Sequence, residues 1–62
     1  GGNAMRYSVK KIGFQDLARC DAYFVRDSDE NTVEIFSTTK YGEDAKRLAY
    51  AARNRRNREE TQ

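Results

Sequence analysis

Sixty-two residues, 37% of them hydrophobic and 35% charged, with a net charge of +2, make one small domain with a thin core. A chain this short buries only about 60% of the surface that its unfolded form exposes. With no histidine and a single cysteine, Cys20, one chain can build neither an internal disulfide nor a zinc site of the Cys/His kind.

Gly1-Gly2-Asn3-Ala4 ahead of a methionine reads as an expression scar, so the domain is expected to span 5–62 from a natural start at Met5. Residues 5–12, MRYSVKKI, set Tyr7 and Val9 on one face against Arg6, Ser8 and Lys10 on the other, which predicts a first strand. Gly13 is expected to end it. Residues 14–19 place Phe14, Leu17 and Ala18 at i, i+3 and i+4, which suits one helical turn or an ordered loop under the core. Residues 21–27, DAYFVRD, are rich in aromatic and β-branched side chains and predict a second strand. Ser28-Asp29-Glu30-Asn31 forms a polar turn, because Asn and Asp tolerate left-handed backbone and bond to their own main chain. Residues 32–37, TVEIFS, return as a third strand and close an antiparallel hairpin. Val33 and Ile35 share one face of it; Thr32, Glu34 and Phe36 share the other.

A helix follows from near Tyr41 and Gly42, with Thr38 or Thr39 as its N-cap. Glu43 and Asp44 suit the positive end of its dipole and the later arginines the negative end. Tyr41, Ala45, Leu48, Ala49 and Ala52 recur as one narrow apolar stripe. Beyond about Arg53 the stripe lapses, so 54–62 is expected to project as a fraying basic helix or a disordered end. These elements add up to an α+β fold: a three-stranded antiparallel sheet with one C-terminal helix packed on one face and the other face open.

Charge is sorted along the chain. Arg6, Lys10, Lys11 and Arg19 make the start basic, Asp21, Asp27, Asp29, Glu30 and Glu34 make the hairpin acidic, and seven cations from Lys40 to Arg58 make the end basic. Such segregation can steer partners, and it also suits an ordinary solvated surface. Arg6, Ser8 and Lys10, joined by Arg26, are candidates to meet phosphates or base edges, with a solvated strand face as the plain alternative. Arg53, Arg55 and Arg56 lead the run RNRRNR, which reads as a phosphate clamp or as a soluble helix end that complements the dipole. Tyr7, Tyr23, Phe24 and Phe36 could stack on bases, but core packing accounts for most of them. Strand alternation cannot place Tyr23 and Phe24 on one face.

Without histidine the commonest general base is missing, and no Gly-rich phosphate loop or nucleophile elbow occurs, so neither enzyme activity nor a cofactor is expected. No apolar run nears the ~20 residues that span a bilayer. No signal-peptide pattern follows Met5, so the expected location is intracellular, cytoplasmic or nuclear, without a membrane partner.

Residues 36–53, FSTTKYGEDAKRLAYAAR, resemble the strand-to-helix junction of the Apetala/ethylene-response-factor type of DNA-binding domain, in particular its apicomplexan and phage-encoded forms. Phe36, Ser37, Lys40, Tyr41, Gly42, Ala45 and Ala49 carry the resemblance. It implies a sheet whose exposed face docks into the major groove of duplex DNA through arginine, lysine and aromatic side chains while the helix braces the back. The competing expectation is a small phage-type protein that binds and inhibits or regulates a host protein. In that case Asp27, Asp29, Glu30 and Glu34 would meet a basic protein surface. A free sheet edge or the open face could instead serve a homodimer.

Overall fold

Three strands, β1 (Ser8–Phe14), β2 (Cys20–Arg26) and β3 (Thr32–Ser37), pair antiparallel in that order in a computed structural model that describes residues 6–14 and 20–60. A short helix, α1 (Thr38–Tyr41), and a long one, α2 (Asp44–Glu60), complete the α+β fold expected from the sequence. Of residues 14–19, expected as a helical turn or an ordered loop, Phe14 is the last residue of β1 and 15–19 lie outside the described residues.

Directly opposed residues of a sheet share a face. Val9 opposes Val25 and Lys11 opposes Tyr23; Val25 in turn opposes Glu34, and Tyr23 opposes Phe36. This set lines the side covered by α2. The core is Tyr7, Val25, Ala49 and Ala52, with Val9, Tyr23 and Phe36 packed against it. Full burial of a side chain such as Val25 is worth about 1.5–3 kcal/mol. Ala45, Ala49 and Ala52 of the predicted stripe are all buried. With nothing beyond Cβ, they let the helix lie close on the strands.

β1 starts at Ser8, after Arg6 and Tyr7 (Met5 lies outside the described residues), and Gly13 lies inside it, opposite Asp21. A side chain explains the first difference. Tyr7 N–H donates to Asn57 Oδ1 at 2.8 Å, and Asn57 Nδ2 donates back to the Tyr7 carbonyl at 3.2 Å. The amide of Asn57 thus satisfies Tyr7 as a neighbouring strand would. At Gly13 a Cβ would lie 3.2 Å from Asp21 Oδ1, so glycine there permits a close approach within the ladder instead of ending it.

The polar turn forms as expected. Asp27 Oδ1 accepts from the N–H groups of Asp29 and Asn31, each at 2.9 Å, and Glu30 N–H donates to the Asp27 carbonyl at 2.9 Å. The positive φ falls on Glu30, at 66°, not on an Asn or Asp. The register shifts between Val25 and Arg26, which leaves Val33 as an additional residue of β3 and sets Thr32 opposite Arg26, off the face of Glu34 and Phe36 on which simple alternation placed it.

Ser37, not Thr38 or Thr39, is the cap: its Oγ accepts from Lys40 N–H at 3.2 Å. Thr38 is committed elsewhere. Its Oγ1 accepts from Asp21 N–H at 2.9 Å and donates to the Asp21 carbonyl at 3.2 Å, tying α1 to the start of β2. Gly42, at φ 61° and ψ −138°, separates the two helices, and Tyr41 lies against Phe36 with ring centroids 5.5 Å apart. The inward stripe does not lapse at Arg53. α2 continues to Glu60 because Arg56, one turn past Ala52, extends the inward stripe and donates through Nε to Glu34 Oε2 at 2.7 Å. A polar pair does there what alanines do earlier.

Candidate functional site

The side of the sheet away from α2 gathers Ser8, Lys10 and Ile12 of β1, the buried Ala22 with Phe24 and Arg26 of β2, and Thr32 and Ile35 of β3, through the pairs Ser8–Arg26, Lys10–Phe24, Ile12–Ala22, Phe24–Ile35 and Arg26–Thr32. Ser8 and Lys10 are exposed, Ile12, Phe24 and Arg26 half-buried, and Ile35 is 56% exposed. The alternation therefore separates Tyr23, which packs in the core, from Phe24, which belongs to the open face. The Arg26 guanidinium carbon sits 5.9 Å from the centroid of the Phe24 ring, near the outer limit of a cation–π contact. Its Nε is shut off from water and has no acceptor among the described residues. Such an unpaired donor costs about 1–3 kcal/mol.

Acidic side chains in a hairpin would repel phosphates. Here alternation divides them. Asp21 is on the α2 side, 3.8 Å from Lys11 Nζ. Glu34 is there too, where it accepts from Arg56 and lies 3.9 Å from Arg55 Nη2. That hydrogen bond to Glu34 holds the Arg56 guanidinium above its ordinary pKa, ahead of the opposing effect of burial. Asp27, Asp29 and Glu30 stay together at the turn, with Asp27 engaged by two backbone N–H groups. Glu34 thus does not join the acidic set to which the sequence assigned it. Ser8, Lys10 and Arg26 do come together; Arg6 precedes β1 and is exposed.

The arginine run forms no single clamp. Successive helical residues turn by about 100°, so its members leave α2 in different directions. Arg55 and Arg56 lean toward Glu34 of β3, and the Arg56 guanidinium also lies 5.5 Å from the Tyr7 ring centroid. Arg53 donates from Nε and Nη2 to Asn54 Oδ1, at 3.1 and 2.8 Å, and stacks 4.7 Å from the centroid of Tyr50. Arg58 is exposed on another side. The sequence reading passed over Ile12 as a face residue, although period-two counting from Ser8 and Lys10 reaches it.

Among the described residues no group of three or more His, Cys, Asp or Glu could hold a metal ion, and no helix is long and apolar enough to cross a membrane. No protein-family model, curated protein or solved structure matches the chain.

Proposed function

We propose that this chain is a small nucleic-acid-binding module that lays the open face of its sheet on duplex DNA, as its resemblance to Apetala-type domains implies. One observation carries the reading. On the described strands the open face holds Lys10 and Arg26 beside Ser8, while both strand carboxylates, Asp21 and Glu34, are turned to the helix side and matched by cations. Arginine suits the acceptor edge of guanine, lysine suits phosphate, and the apolar Ile12 and Ile35 suit thymine methyl groups. An acceptor on the DNA would also draw the Arg26 guanidinium out of a position that leaves its Nε unpaired. The test is a titration of isotope-labelled protein with mixed-sequence duplex at low salt. Amide shifts are expected at Ser8, Lys10, Phe24, Arg26 and Ile35, and Lys10→Gln or Arg26→Gln should each cost about 1–3 kcal/mol of binding. A spectrum that does not change on adding duplex ends this reading.

A second reading, a protein partner that the module inhibits or regulates, draws on the 56% exposure of Ile35 and 36% exposure of Val33 near the acidic turn. An apolar spot with a charged rim is the usual anatomy of a protein interface. Asp27, Asp29 and Glu30 would then pair with a basic rim. Neutralising Asp29 and Glu30 separates the two readings by sign. It should strengthen duplex binding by removing repulsion, and weaken capture of a basic protein.

A further inference from the structure

The side of α2 next to β1 carries a second basic surface that the open face does not include. Lys46, Tyr50, Arg53 and Asn57 recur at i, i+4, i+7 and i+11, one stripe of the helix. The two hydrogen bonds between Asn57 and Tyr7 fix that stripe on the β1 side, just as the contact of Arg55 with Glu34 fixes the other flank on the β3 side. Lys46 is exposed, and none of these four side chains is a carboxylate. Arg53 is already ordered: Asn54 takes two of its nitrogens and Tyr50 supports its plane, so less side-chain entropy is lost when a ligand is gripped. Across the β1 edge lie Lys11, whose side chain is 58% exposed, and then Lys10 of the open face.

We infer that this flank is a second contact for the same duplex and that it takes the phosphate backbone on one side of the groove. The inference rests on duplex binding by the open face. A major groove is about 12 Å wide and walled by two phosphate chains, so a sheet lying in it turns one edge toward each wall. At the β1 edge the wall meets Lys46 and Arg53. At the β3 edge it meets Glu34, whose charge already occupies Arg55 and Arg56. The module therefore grips asymmetrically, with its β1 edge as the phosphate-bound side.

The experiment compares three double variants of the full chain for duplex affinity across a salt series. Lys46→Gln with Arg53→Gln removes the flank. Arg47→Gln with Arg58→Gln removes the same charge from another side of α2. Lys10→Gln with Arg26→Gln removes the open face. Glutamine is a good helix former, and unchanged far-UV circular dichroism and melting confirm the fold. The flank variant should bind roughly ten-fold more weakly at about 150 mM salt, with the log–log salt slope reduced by about 1.8, one counterion-release contribution per lost contact. The control pair should change affinity by less than about two-fold, because exposed charges more than about 8 Å away are largely screened. Equal losses in flank and control overturn the inference, and so does a flank variant that binds like the wild type while the open-face variant fails. If the wild-type chain binds no duplex, the proposed function itself falls and the flank falls with it.

Discussion

Asn57 and Arg56 lie side by side on α2 and hold its C-terminal half to the sheet, Asn57 through the backbone of Tyr7 and Arg56 through Glu34 and the Tyr7 ring. Removing Asn57 strands a donor and an acceptor of Tyr7, a residue only 7% exposed, so Asn57→Ala should cost about 1–3 kcal/mol in urea unfolding. The Tyr7 amide should lose its protection from hydrogen exchange. An unchanged midpoint and an unchanged exchange rate would refute that assignment. The Arg56–Glu34 pair is a weaker tie, since 29% of one side chain and 25% of the other face water. A double-mutant cycle with Arg56→Gln and Glu34→Gln should give a coupling of about 1 kcal/mol that shrinks in salt. Arg56 was partly legible in the sequence, because spacing from Ala45, Ala49 and Ala52 leads straight to it. Within a run of arginines, however, nothing local distinguishes an inward residue from an outward one. Asn57 was not legible at all, since its partner is the main chain of a residue fifty positions away.

The three strands and α2 were recognisable by period and punctuation, and the differences came at the ends. Gly42 is the clearest case. The sequence read a single helix starting near it, whereas its φ of 61° with ψ of −138° divides α1 from α2. A Cβ there would find nothing within 4 Å, so Gly42→Ala would cost through backbone strain alone, about 1 kcal/mol or more. Thermal melting should show the loss, and a variant as stable as the parent would mean that this junction adopts another conformation. Ala49 has the opposite constraint, with conformational freedom to spare and no space. It is fully buried between α2 and the strands, and Ala49→Leu should destabilise by about 1–3 kcal/mol by forcing helix and sheet apart. Gly13 reads as a strand end from composition alone. Pairing with Asp21 overrides that preference, because ladder hydrogen bonds and a close cross-strand approach outweigh the weak intrinsic bias of one residue.

At the scale of the whole molecule the extents are 42 × 20 × 15 Å, and the shortest is about that of one sheet with one helix upon it. Tyr7 and Tyr23 share one cluster with the alanines of α2, so helix and sheet should unfold together. Far-UV circular dichroism and near-UV tyrosine signals are expected to give the same urea midpoint, with a total stability of no more than roughly 3–5 kcal/mol. A helix that melts apart from the sheet would contradict a shared core. Length, alternation and the alanine stripe by themselves determined that three strands and a helix form and, apart from Thr32 beyond the bulge, which strand residues share a face, since these depend only on short-range backbone periods. Tertiary structure alone decided which face the helix covers, that the carboxylates of Asp21 and Glu34 end on the covered side, and that the arginines of α2 part company. Those outcomes depend on register and on helical phase against the sheet, which are settled by packing between residues far apart in the chain.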